Sequence, residues 1–227
     1  MIELETRGDV RVLHMRNGEN RFNRESVDAL HAALDEVEAV EGPVALVTTG
    51  EGKFFSNGLD LDWVMAGGDE VQGFIPDVHR LLGRVLGFPA VTVAAVNGHA
   101  FAGGGMLAVA HDYVVMREDR GFWCLPEVDL GLPLTPGMYA VVAAHLPRQA
   151  LHDSALSGRR YTGPEAVAAG IADEVADEGD VLDRAVAIAA ELAGKNRDVI
   201  AEHKRLMYGD AMEICGAARP PSPPPAL

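Results

Sequence analysis

The chain of 227 residues is short of positive charge: 19 Lys and Arg stand against 34 Asp and Glu, a formal net charge of −15 with histidine neutral. Phosphate backbones are gripped by clustered Lys and Arg, so this balance excludes a nucleic-acid binder and a protein that docks on an anionic membrane. Cysteine is scarce. Cys124 and Cys215 are the only two and form no CxxC, which excludes a disulfide framework and fits a reducing compartment. Long apolar runs are missing too, since nothing approaches the roughly 18 uncharged residues of a membrane span. The first residues, Met1-Ile2-Glu3-Leu4-Glu5, carry no signal-peptide pattern. The 8 histidines come without HExxH, HxH or Cys/His pairs at ligand spacing, so no metal site is expected and His99 and His111 read as structural. With 48% hydrophobic and 23% charged residues, the chain has the composition of an ordinary globular protein with one sizeable core.

The order of elements reads as mixed α and β. Val10 to Met15, Val44 to Thr49, Ala90 to Val96 and Tyr113 to Met116 are apolar runs of strand type. Asn23 caps a helix whose Val27, Leu30, Leu34 and Val37 share one face. Phe74, Val78, Leu81 and Val85 mark a second helix, stopped by Gly87-Phe88-Pro89. A short apolar helix is expected from Met106 to about Ala110, and Thr135-Pro136 opens another that runs to about Leu146. Thr162-Gly163-Pro164-Glu165 is a capping box for a helix ended by Gly170. Val181, Ala185, Ile188 and Leu192 mark a further helix, and Asp198 to Met207 the last. The tail from Ala217 to Leu227 is rich in proline and expected to be disordered. No repeat of fixed period is visible.

Chemistry concentrates at two glycine-rich junctions, each a few residues after a buried strand. One is Phe55-Ser56-Asn57-Gly58-Leu59-Asp60-Leu61, the other Asn97-Gly98-His99-Ala100-Phe101-Ala102-Gly103-Gly104-Gly105-Met106. Glycine lets a backbone approach a ligand with no Cβ in the way. A helix start leaves N–H groups unpaired at its positive dipole end, where they stabilise an oxyanion. Glycine also punctuates ordinary turns, so neither junction alone defines a site.

Together these junctions resemble the enoyl-CoA hydratase/isomerase (crotonase) family. Pro126-Glu127-Val128-Asp129-Leu130-Gly131-Leu132-Pro133, Leu156-Ser157-Gly158-Arg159 and Ala166 to Val175 resemble later landmarks of the same family, in the right order. The resemblance covers roughly residues 1–207, taken as one acyl-CoA-binding domain, with 208–227 as a short C-terminal extension. It implies an α/β crotonase (ClpP-like) spiral of ββα units with C-terminal helices, assembled as a homotrimer or dimer of trimers. It also implies an acyl-CoA thioester substrate and no cofactor, coenzyme A being part of the substrate.

In the family, two backbone N–H groups hold the thioester oxygen; the matching positions are Leu59 and Gly103. Hydratases use two glutamates. Here the first falls on Met106, which cannot move a proton, and the second on Glu127. One carboxylate suffices to carry a proton between two carbons of one substrate, the pattern of the Δ3,Δ2-enoyl-CoA isomerases, and the wording is closest to their plant peroxisomal-type members. Glu127 is thus the expected proton shuttle. Arg24, Lys53, Asn57, Gly58, Asp60, Leu61, Gly104 and Met106 are the expected substrate-binding positions, with Lys204 or Arg205 as further cations for coenzyme A. A hydratase, hydrolase or decarboxylase of the family, or a non-catalytic acyl-CoA-binding paralogue, are the alternatives. Cys124, with no cationic neighbour in sequence, reads as a buried apolar residue. Pro225-Ala226-Leu227 is no peroxisomal address, so the cytoplasm is the expected compartment.

Overall fold

The computed structural model describes residues 1–221. Its main sheet has six strands in the order β1-β2-β3-β5-β7-β9. These are β1 (Ile2–Arg7), β2 (Val10–Met15), β3 (Ala45–Thr49), β5 (Val91–Val96), β7 (Tyr113–Arg117) and β9 (Glu174–Ala176). Only the β1–β2 pair is antiparallel. Every residue of β3 and β5 is buried, which is why both read as largely apolar runs without charge: each face is covered. One face packs against α1 (Arg24–Glu38), α3 (Phe74–Leu86) and α4 (Gly103–Val109) through Leu34, Leu82 and Val109. On the other, Val12, Val47 and Val93 pack against Val181, Ala185 and Ala189 of α9 (Val181–Leu192).

A second, small parallel sheet holds β4 (Phe54–Ser56), β6 (His99–Phe101) and β8 (Trp123–Cys124) in that order. Each of its strands follows one from the main sheet and leads into a helix. β3 and β4 lead to α2 (Leu61–Ala66), β5 and β6 to α4, and β7 and β8 to α5 (Glu127–Leu130). This is the expected spiral of ββα turns. No fixed period betrays it, because the turns begin at Ala45, Val91 and Tyr113, at unequal intervals. The remaining helices are α6 (Pro136–His145), α7 (Arg148–Ser157), α8 (Gly163–Ala168) and α10 (Arg197–Ile214).

The structure corrects three expectations. β1 was not foreseen, although its alternation of Ile2 and Leu4 with Glu3 and Glu5 suits a sheet edge. The helix expected from Met106 starts three residues earlier, at Gly103. The last helix does not stop near Met207: α10 continues to Ile214, so the expected boundary at 207/208 falls inside a helix. Burial carries it onward. Met212 seats where Gly87 has no side chain, and Cys215 seats at Gly83. Arg219 then pairs with Glu38 at 2.6 Å. Residues 222–227 of the proline-rich tail lie outside the described residues.

His111 is structural, as its sequence context implies. It is wholly buried, with Nδ1 2.8 Å from the Leu107 carbonyl and Nε2 2.8 Å from the Thr48 hydroxyl. Burial pushes its pKa down to about 4. The unfolded chain binds this proton near pH 6.5 and the folded chain does not, so acidification through that window favours unfolding. Urea unfolding is expected to show a loss on the order of 3 kcal/mol from this group between neutral pH and pH ~4. A His111→Gln variant is expected to lack that part of the pH dependence.

Candidate active site

Three strands of the small sheet end side by side, and each is followed at once by one of the expected catalytic positions. Leu59 comes after β4, Gly103 after β6 and Glu127 after β8. Parallel pairing of β4 with β6 and of β6 with β8 makes them neighbours. The Ala102 N–H donates to the Cys124 carbonyl at 3.0 Å, so the start of α4 is tied to the strand that delivers Glu127. Gly58, with φ of 75°, lies so close to the next turn that a Cβ there would sit 2.9 Å from the Gly103 nitrogen. Gly104 presses on β4, where a Cβ would overlap the Ser56 carbonyl. The glycines are therefore needed for close approach of one stretch of backbone to another, the packing role that glycine has where a helix start lies against a strand.

That approach brings two donors together. Among the described residues, no carbonyl or side chain accepts from the N–H of Leu59 or of Gly103. Gly103 is the first residue of α4, so its N–H is an orphan of the helix start. Ala102 before it holds φ at 49°, a conformation a side chain rarely adopts and which aims that peptide.

Glu127 is the first residue of α5, directly after the strand that pairs with β6. Its Oε2 is buried and has no hydrogen-bond partner. Burial raises its pKa, opposed by a weaker bond to its own backbone N–H. A carboxyl group that is desolvated, unpaired and pushed towards neutrality has the properties of a general base.

The sequence model of the enoyl-CoA hydratase/isomerase family matches residues 5–213. The chain belongs to that family. It is similar to enoyl-CoA delta isomerase 3 of Arabidopsis thaliana, 38% identical over 230 residues that cover 95% of this chain and 94% of the plant protein. It is 37% identical to the peroxisomal enoyl-CoA delta isomerase 2 of the same plant, over 95% of this chain and 94% of that one. Among solved structures, a probable enoyl-CoA hydratase of Mycobacterium tuberculosis H37Rv matches with a TM-score of 0.88 at 29% identity, covering 96% of this chain and 92% of that one. An apo enoyl-CoA isomerase structure, also mycobacterial, matches at 0.87 with 28% identity, covering 95% and 94%. The fold is the crotonase fold.

The other expected site residues of this family member separate into two groups. Asn57, Gly58, Asp60, Leu61 and Gly104 cluster around the donors. Asn57 donates from Nδ2 to Glu19 at 2.9 Å. Asp60 caps α2 by accepting from the Trp63 N–H at 3.3 Å, and Leu61 begins that helix. Lys53 is exposed beside β4, its carbonyl taking the His99 N–H. Arg24 and Met106 are placed differently. The Arg24 guanidinium pairs with Asp77, reaches Asp28 at 3.7 Å and stands 5.6 Å from the Phe74 ring centre. Met106 is fully buried in the core, so it lines no accessible surface.

Lys204 is also no cation for a ligand. It is buried, donating to Asp112 at 2.7 Å and to the Ala90 carbonyl at 2.9 Å. Arg205 pairs with Glu202 at 2.7 Å. Cys124 is buried, and desolvation lifts its thiol pKa to about 11, as suits an inert thiol. Sequence reasoning passed over Asn20 and Phe22 and gave Ser56 no role of its own within its motif, yet the Ser56 hydroxyl accepts the Gly58 N–H and Phe22 bonds to Gly58 and Asp60. The unusual φ of Asn20 cannot be seen in a sequence. Among the described residues no helix is long and apolar enough to cross a membrane.

Proposed function

We propose that the chain is a Δ3,Δ2-enoyl-CoA isomerase acting in fatty-acid degradation. The observation that carries this reading is the Glu127 carboxyl, with a buried, unpaired oxygen, at the end of the strand next to the one that leads to the acceptor-free N–H of Gly103. Support comes also from Met106, which puts a thioether where a family hydratase has its second acid. Glu127 takes a proton from C2 of a 3-enoyl thioester. Electron density moves to the thioester oxygen, where the N–H groups of Leu59 and Gly103 hold the dienolate. The same carboxyl group returns the proton to C4. Donors fixed where charge develops are worth about 10²–10³ each in rate. Assembly as a homotrimer or dimer of trimers belongs to the same proposal, supported by the exposed Leu206, Met207 and Ile214 along α10.

The test is incubation with 3-hexenoyl-CoA while following formation of the conjugated thioester. Turnover is expected. Rapid hydration of crotonyl-CoA without isomerisation would overturn the assignment in favour of a hydratase, and tight coenzyme A binding without turnover would favour the non-catalytic paralogue.

A further inference from the structure

The loop from Asn17 to Asn23 joins β2 to α1 and matches none of the motifs that point to the site. It nevertheless carries one of the two non-glycine residues with positive φ among the described residues, Asn20 at 51°; the other is Ala102, beside Gly103. Such a backbone is unfavourable for a residue with a side chain, and asparagine tolerates it better than most. Its surroundings hold it there. Asn20 is buried, its Nδ2 donates to the Phe55 carbonyl at 3.0 Å and its Oδ1 accepts the Asn17 N–H at 2.8 Å. The Ser56 hydroxyl donates to the Asn20 carbonyl at 2.7 Å and accepts the Gly58 N–H at 3.2 Å.

Two residues on, Phe22 grips the donor loop on both sides of Leu59. Its N–H donates to the Gly58 carbonyl at 2.7 Å, and its carbonyl accepts the Asp60 N–H at 2.9 Å. The peptide joining Gly58 to Leu59 is planar and trans, so its C=O and N–H point in opposite directions. Anchoring the Gly58 carbonyl on Phe22 therefore aims the Leu59 N–H away from Phe22. The buried Phe22 ring meanwhile lies against Gly103, where a Cβ would fall 3.2 Å from its edge. One residue thus sets the direction of the first donor and touches the residue that carries the second.

We infer that Asn20–Phe22 positions the oxyanion pair, with the Phe22 backbone orienting the Leu59 donor and its ring setting the spacing to Gly103. Phe22 is a positioning residue, since it acts on the substrate only through the two donors. The inference rests on the isomerase reading.

The experiment uses hexanoyl-CoA labelled with ¹³C at the thioester carbonyl, a saturated ligand that cannot turn over. On binding to the native protein, the carbonyl stretch is expected to move to lower frequency as two N–H groups polarise it. In Phe22→Leu the stretch is expected to return towards its solution position. The kcat for 3-hexenoyl-CoA is expected to fall on the order of 10–100-fold, part of the value of a donor, with KM little changed. The acid limb of the pH profile, set by Glu127, should stay in place. Ser56→Ala removes the hydroxyl that holds the adjoining Asn57–Gly58 peptide and the Asn20 carbonyl, and so loosens the same loop without touching the Phe22 ring. It is expected to act in the same direction and decides the matter if Phe22→Leu does not fold. Folded Phe22→Leu and Ser56→Ala proteins that both keep the native carbonyl shift and kcat overturn the inference and leave the isomerase reading intact. Failure of that reading looks different: the native protein itself would then show no carbonyl shift or no turnover.

Discussion

Glu127→Gln is expected to reduce isomerisation of 3-hexenoyl-CoA by at least about 10²–10⁴-fold, the usual worth of a positioned acid–base group. The larger figure applies because one carboxyl group serves both proton transfers. Glutamine keeps the shape, so binding of hexanoyl-CoA and its carbonyl shift should survive. The same substitution should stabilise the fold at neutral pH. The folded-state pKa of Glu127 is raised by burial, so its protonated form suits the fold and its ionised form does not. The contribution of this group to stability is full below the ordinary carboxylate pKa and is lost as pH rises through the raised value. Glu127→Gln escapes that loss. Its thermal midpoint should exceed that of the native protein at pH 7, with the gain vanishing under acid conditions. An inactive variant that is less stable at neutral pH and equally stable in acid would contradict a desolvated base. The native activity should fall on acidification at a pH above the usual glutamate range, because only the ionised carboxylate can accept the C2 proton.

Lys204→Met is expected to cost about 3–5 kcal/mol of stability, the penalty for breaking a buried ion pair from one side. Asp112 would retain its bonds from the Thr92 N–H at 2.7 Å and the Thr92 hydroxyl at 3.0 Å, but lose its counter-charge. Lys204 also ties α10 to the entry of β5 through the Ala90 carbonyl. For a chain of this size the thermal midpoint should drop by roughly 6–20 °C. Well below that midpoint the rate should be near native, since neither residue is at the catalytic positions. Adding Asp112→Asn should restore part of the loss, a coupling that a double-mutant cycle measures directly. A midpoint unchanged in Lys204→Met would mean that the Thr92 bonds alone satisfy Asp112.

Most of the long elements were legible in the sequence because each buries a pattern; β1 and α7, whose buried residues are few, were not. Val27, Leu30, Leu34 and Val37 repeat at helical spacing on α1, and Asn23 caps it with Ser26 in a reciprocal box. β3 and β5 are buried on both faces, so no charge breaks their runs and their only polar residues are the threonines Thr48, Thr49 and Thr92. The small sheet was not legible. β4 and β6 have three residues each and β8 two, too few for any alternation to register. β9 is equally short. The end of α10 was missed because Gly209 and Asp210 interrupt its apolar face before Ala211, Met212 and Cys215 resume it. The cationic positions read least well. Lys204 and Arg24 looked like surface charges free to meet a ligand, yet each has a carboxylate partner far away in sequence.

Residue chemistry by itself determined which groups can act: two glycine-flanked peptides that can offer N–H donors, one glutamate, and a methionine in place of a second acid. Those are local properties, carried by side-chain type and backbone freedom. Only the tertiary structure decided how the segments that carry them are arranged. Three strands too short to announce themselves lie parallel, so the segments that carry Leu59, Gly103 and Glu127 follow neighbouring strands from three separate turns of the spiral. Burial of the Glu127 carboxyl and the aim of the Leu59 peptide were likewise decided there. Desolvation and peptide orientation depend on what lies across the fold, and no neighbour in sequence supplies either.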